Sequence, residues 1–320
     1  MTLTIPKLPT NSRTSPIKAV LFDKDGTLID YLPRWVPYAK QAFLDISERF
    51  GFLLSDLEEP LGISPDGRLL PDSVLACCAP PDMVQMFQDI LLQKGFAPGR
   101  AEEACRQLGH SMVDGPEGPF ECFADLPRLF DQIHGVGLLV GVVTNDYLFA
   151  AQRHFNDLGV LTRLDYLCGI EKGVLPKPDP YGILRFCNRF SLAPSEVAFV
   201  GDTLVDMEAG VRAGVGLRIG VLTGAGDMNT LYSKADLILP SVGDIPSVLD
   251  WLELKQSRSL AREETHLDGD SETPVSERKA KSKPNGGYAS REKFLEYQRQ
   301  YYRKVLKHRR LARRELQAER

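Results

Sequence analysis

The chain has 320 residues, 43% of them hydrophobic and 26% charged, with a formal net charge of −4. This is ordinary globular composition, enough for one large domain with an insertion or for two smaller ones. No run of about eighteen apolar residues occurs, which excludes a membrane-spanning helix.

The six cysteines (Cys77, Cys78, Cys105, Cys122, Cys168, Cys187) form no CxxC pair and no regular framework. With no hydrophobic secretory leader, they read as reduced, packed thiols, and a cytoplasmic location is expected. Residues 1–16 hold Thr, Ser, Lys and Arg without an acid, a composition shared with organellar transit peptides. Pro6, Pro9 and Pro16 would break the amphipathic helix such a peptide needs, so a disordered extension is expected instead. Charge is uneven. From Gly286 onward eleven Lys and Arg face four Glu, about +7, which leaves about −11 on the rest.

In chain order, residues 17–22 (IKAVLF) predict a buried strand that runs into a glycine turn. Trp35, Ala39, Ala42, Phe43, Ile46 and Phe50 recur at helical spacing, and further helices are expected at 73–78, 83–93 and 98–108. Nothing between about 31 and 118 reads as a strong strand, so a helical insertion follows the first strand. Beyond it, helices are expected at 126–133, 148–158, 181–190 and 205–214, and strands at 138–144, 166–170, 197–202, 217–222 and 236–240. Continuously apolar strands alternating with helices predict an α/β fold, a Rossmann-like doubly wound parallel sheet covered on both faces. The expected organisation is a core of 17–30 and 119–254, a helical cap of 31–118, a disordered linker of 255–285 and a basic helical tail of 286–320.

Ligands of open α/β sheets gather at the carboxyl ends of the strands. Those ends carry Asp23 and Asp25 (FDKDGT), then Thr144 and Asn145, then Asp202 with Asp206 four residues on; Lys177 sits between in PKPDP. Grouped carboxylates suit a hard cation such as Mg²⁺, and a cation with a lysine suits a phosphoryl group in transfer. Taken singly, DxDG is a turn or cap and GDTLVD a helix N-terminus. Their joint order argues for a site.

DKDGTL, the apolar strand ending in TN, the KP loop and GDTLVD, in that order, resemble the four motifs of the haloacid dehalogenase superfamily, in its phosphatase branch with a helical cap. The resemblance spans about residues 17–252. It implies Asp23 as the nucleophile that forms an aspartyl-phosphate, and Asp25 as general acid, then base. It implies Thr144, the Asn145 N–H and Lys177 on the phosphoryl group, Mg²⁺ on Asp23, Asp202 and the Asp25 carbonyl, and Asp206 in an outer position or acting through Lys177. Lys24 departs from the commoner apolar residue, and strand alternation predicts that it points away from the site. Asp146 and Asp179 are expected in turn or cap roles, and His154 shows no pairing that suggests a metal. Arg34, Arg68 and Ser73 are the cap groups placed to reach a substrate, and Trp35 is expected in the core.

The resemblance thus implies a Mg²⁺-dependent phosphatase for a small phosphorylated metabolite, with phosphoglycolate the leading candidate. The alternatives are a retired catalytic domain acting through its tail, and a phosphomutase, which Thr27 disfavours. The tail REKFLEYQRQYYRKVLKHRRLARRE suits RNA or another anionic surface, or docking on an acidic partner.

Overall fold

A computed structural model describes residues 16–52, 62, 70, 73–116, 118 and 120–249. The N-terminal extension, Arg68, the linker and the basic tail lie outside the described residues. Ile17–Gly243 form one unit, which holds everything discussed below, and Pro16 and 244–249 belong to a second.

The sheet starts from β1 (Ala19–Phe22), four apolar residues that are all fully buried. Such a run has no solvated side and needs cover on both faces, so it sits in the middle. It pairs in parallel with β4 (Leu139–Tyr147) on one side and β6 (Val197–Gly201) on the other. With β5 (Tyr166–Ile170), β7 (Leu217–Val221) and β8 (Leu237–Leu239) the order is β5-β4-β1-β6-β7-β8. All neighbouring pairs in this sheet run parallel, as the sequence pattern predicts. Order reverses at β1, so its carboxyl end opens onto the crevice between β4 and β6.

The helical segment between β1 and β4 has its own interior. It contains α1 (Leu32–Phe50), α2 (Val74–Cys77), α3 (Pro80–Gln93) and α4 (Pro98–Asp114). Pro33 suits the first turn of α1, and Gly51 closes it with φ 72°, a left-handed position that glycine adopts without strain. Phe43, Phe87, Leu91 and Leu108 form a buried cluster drawn from this segment alone. The segment leaves and rejoins the core through two strands of two residues each, β2 (Ile29–Asp30) and β3 (Glu121–Cys122), which pair antiparallel. The sequence gives no warning of them, because two residues show no period.

Among the described residues the core also carries α5 (Leu126–Gly135), α6 (Leu148–Asp157), α7 (Tyr181–Phe190), α8 (Leu204–Ala213) and α9 (Met228–Tyr232). Among the described residues no helix is long and apolar enough to cross a membrane.

Candidate active site

Asp23 follows β1 directly, and its N–H donates to the Val200 carbonyl of β6 (2.8 Å). The chain then turns at Gly26 (φ 83°), where a Cβ would stand 2.5 Å from an Asp202 carboxylate oxygen. Backbone conformation and space both demand glycine there. Thr27 beside it donates its hydroxyl to Asp202 Oδ1 (3.0 Å). The turn therefore serves the fourth motif as much as the first.

Asp202 is also held from a second loop. The Ala225 N–H donates to Asp202 Oδ2 (2.9 Å), and the Thr223 hydroxyl donates to the Gly26 carbonyl (2.7 Å). A Cβ on Gly224 would lie 1.9 Å from Asp202 Oδ2. Sequence reasoning passed over this stretch, TGAG after β7; its small residues at a strand end were the available signal. Gly224→Ala is expected to cost about 1–3 kcal/mol by overpacking a pinned carboxylate. Urea denaturation checks it, and an unchanged midpoint would mean the loop yields freely.

Lys177 lies between two carboxylates. Its ammonium donates to Asp23 Oδ1 (2.5 Å) and Asp206 Oδ1 (2.6 Å), and all three side chains are buried. Burial opposes the charged lysine, but Asp206 and Asp23 outweigh it and hold its pKa above the ordinary value. Asp206 Oδ2 accepts from the Thr203 N–H (3.0 Å) and hydroxyl (2.6 Å), so it caps α8 as well. The Lys177 loop is fixed by Asn145, whose side chain accepts from the Lys177 N–H (2.7 Å) and donates to its carbonyl (3.0 Å).

Thr144, Asn145 and Asp146 all face the same cavity. A regular strand would send them to alternate sides. The register between β4 and β5 shifts between Val143 and Tyr147, and a bulge of this kind re-aims side chains.

Asp23, Asp202 and Asp206 place oxygens within 4.8 Å of one another. Burial raises the Asp23 pKa to about 7, against the pull of Lys177 and with the push of Asp206 and Asp25. Burial, then Asp23 and Asp206, raise Asp202 as well. Three carboxylates against one ammonium leave a formal deficit of about two positive charges in an all-oxygen pocket. A hard divalent cation fits that donor set.

Lys24 overturns its sequence expectation. It is 1% exposed and lines the cavity rather than pointing away from it. Strand alternation fails because β1 has already ended at Phe22. The Lys24 ammonium reaches Asp25 Oδ1 (2.9 Å), Asp146 Oδ2 (2.8 Å) and His154 Nδ1 (3.0 Å). Asp146 is thus more than a turn residue, although its Oδ1 also accepts from the Tyr147 N–H (2.7 Å), and His154, without a metal pairing in the sequence, partners Lys24. Asp179 takes the turn role, accepting from the Tyr181 N–H (2.9 Å) just ahead of α7.

The far wall of the cavity comes from the helical segment: Trp35, Leu75, Ala76, Cys78, Met83 and Val113, with Phe120 at its exit. Trp35, expected in the core, does both jobs, because it also packs against the segment's apolar cluster. Arg34 and Ser73 are not among the lining residues. The Arg34 guanidinium lies over Phe120, 5.9 Å from its centroid, and the Ser73 hydroxyl oxygen is buried. Arg153 of α6 lines the cavity instead.

An open parallel sheet with acidic strand ends, a buried lysine and an inserted wall of helices is an α/β hydrolytic architecture. The chain belongs to the haloacid dehalogenase-like hydrolase family, whose pattern matches residues 17–214. It is 28% identical over 250 residues to N-acetylmuramic acid 6-phosphate phosphatase of Pseudomonas aeruginosa, covering 73% of this chain and 95% of the relative. It is 26% identical over 263 residues to phosphoglycolate phosphatase of Escherichia coli O157:H7, covering 72% and 95%. A crystal structure of a predicted phosphoglycolate phosphatase from Haemophilus somnus 129PT superposes with a TM-score of 0.56 at 21% identity, over 72% of this chain and 97% of that one.

Proposed function

We propose that the protein is a Mg²⁺-dependent phosphatase that hydrolyses a small phosphate monoester through an aspartyl-phosphate on Asp23. The observation that carries this reading is the meeting of Asp23, Thr144, Lys177 and Asp206 in one cavity lined by the helical segment, with Asp202 beside Asp23. That segment acts as the cap, and its side chains exclude water from the reacting centre.

Asp23, Asp202 and the Asp25 carbonyl would hold Mg²⁺, which supplies positive charge to the phosphoryl oxygens and relieves the repulsion among the carboxylates. The Thr144 hydroxyl, the Asn145 N–H and Lys177 orient the phosphoryl group. Thr144 Oγ1 already accepts from the Asp146 N–H (3.1 Å), which leaves its O–H to donate toward substrate. An Asp23 oxygen bonds to phosphorus as the ester P–O bond breaks, and Asp25 gives its proton to the leaving oxygen. Asp25, now a carboxylate, takes a proton from the water that attacks phosphorus. The Asp23–phosphorus bond then breaks, and both carboxyls return to their starting states.

Both relatives' names denote phosphate esters of hydroxy acids. The apolar wall of Trp35, Leu75, Met83 and Phe120 offers a bulky leaving group more contact than it offers a two-carbon one. The expected order of phosphate release with Mg²⁺ is therefore N-acetylmuramic acid 6-phosphate above phosphoglycolate, and both above glucose 6-phosphate. Release from none of the three would overturn the phosphatase reading. Release from phosphoglycolate alone would overturn the order. The presence of every ionisable member of the site argues against the retired-domain reading, and Thr27 argues against the mutase reading.

A further inference from the structure

Lys24 has no part in the reaction outlined above, yet it is a fully buried cation at the centre of the site. Its three N–H bonds meet three acceptors: Asp25 Oδ1 (2.9 Å), Asp146 Oδ2 (2.8 Å) and His154 Nδ1 (3.0 Å). Charge and geometry are both saturated. His154 Nδ1 accepts because an ammonium can only donate, and burial, with the nearby Lys24 charge, pushes the imidazole pKa down to about 4. The other two anchors belong to rigid elements. Asp146 lies in β4 and is pinned through Tyr147, and His154 lies in α6 with its ring edge-on to Phe120, centroids 4.7 Å apart.

An isolated carboxylate on a turn can rotate freely. Asp25 cannot, because one of its oxygens is tied to an ammonium that two core elements hold in place. Its side chain still reaches the cavity, where it is 27% exposed against 1% for Lys24.

We propose that Lys24, anchored by Asp146 and His154, is a positioning residue that aims the Asp25 carboxyl at the leaving oxygen. The proposal rests on the reading of Asp25 as general acid. A purely structural role is the competing account, and replacement of a buried ion pair by an apolar side chain is often tolerated by a fold. The two accounts differ in which substrates suffer. An acid matters most where the leaving group is a poor one, and general acid catalysis is worth typically about 10²–10⁴-fold.

The test compares kcat/KM for 4-nitrophenyl phosphate, whose leaving group needs little proton help, with phenyl phosphate, whose leaving group needs much. With Mg²⁺ and the full chain, Lys24→Met is expected to lower phenyl phosphate hydrolysis by about 10²-fold or more and 4-nitrophenyl phosphate hydrolysis by less than about fivefold. Asp25→Asn should show the same skew. Inhibition by inorganic phosphate should stay within about twofold of the parent, since the phosphoryl contacts of Thr144 and Lys177 are untouched. Lys24→Arg should recover part of the phenyl phosphate rate.

If Asp25→Asn skews the ratio but Lys24→Met lowers both esters equally, the positioning role is overturned and the reading of Asp25 stands. If Asp25→Asn produces no skew, both fall together. Should Lys24→Met not fold, Lys24→Met with Asp146→Asn removes one buried charge of each sign, and the same ratio decides.

Discussion

Asp23→Asn is expected to abolish turnover, by roughly 10⁴-fold or more, equivalent to about 5.4 kcal/mol of transition-state stabilisation. The amide keeps the shape of the side chain but has no carboxylate oxygen to bond phosphorus. The fold should not suffer. Asp23 is a buried carboxyl pushed up to about 7 by burial and by two carboxylate neighbours, so an uncharged amide removes a repulsion. Lys177 retains Asp206 as partner at 2.6 Å. Single-turnover phosphate release together with a thermal melt checks both halves. A variant that keeps near-parental rate with an unchanged melt would show that another group attacks phosphorus.

Removal of Mg²⁺ should silence the enzyme and reverse the pH dependence of its stability. In the unfolded chain Asp23 loses its proton near its ordinary value of 3.8, and in the folded chain near 7. Between these values the folded state holds a proton that the unfolded state has lost. Stability of the metal-free protein therefore falls as pH rises through this window and levels off above it. Asp202, raised by burial in the same direction, adds to the fall. Mg²⁺ takes ionised carboxylates, so its stabilisation is largest above pH 7 and small near pH 5. Mg²⁺ at one hundred times its Kd contributes about 2.7 kcal/mol. For a domain of this size that is a Tm gain of about 5–10 °C at pH 8. Full activity in chelator, with a Tm at pH 8 indifferent to Mg²⁺, would sink the metal assignment.

The parts of the site that the sequence made legible are those set by chain order. Apolar runs marked β1, β4 and β6, and a charged or hydroxyl residue just past each run marked a strand end. Parallel pairing then had to bring Asp23, Thr144 and Asp202 to one side of the sheet. What escaped was contact between segments far apart in sequence. Nothing local ties Lys24 to Asp146 and His154, 122 and 130 residues later, and alternation misleads once a strand has stopped. The grip of Gly224 and Ala225 on Asp202 is equally invisible, because it depends on where β7 lies beside β6. The bulge at 144–146 escaped for a different reason: extra residues in a strand are defined by its partner. On the cap side, polarity was the misleading guide. Arg34 and Ser73 drew attention as charged or hydroxyl groups, whereas the wall is built mainly of apolar side chains.

The two-residue strands β2 and β3 have a consequence for how such a protein can change. They join the interlude that carries α1 to α4 to the core through a single pair of rungs, Ile29 with Cys122 and Asp30 with Glu121. That interlude buries Phe43, Phe87 and Leu108 among its own residues. Under the proposed function, substitutions among its cavity-facing side chains Trp35, Leu75 and Met83 are expected to leave the carboxylates at the strand ends where they are. On the same reading, choice of ester is expected to follow the cavity-facing residues of that interlude, and the chemistry to follow the strand ends.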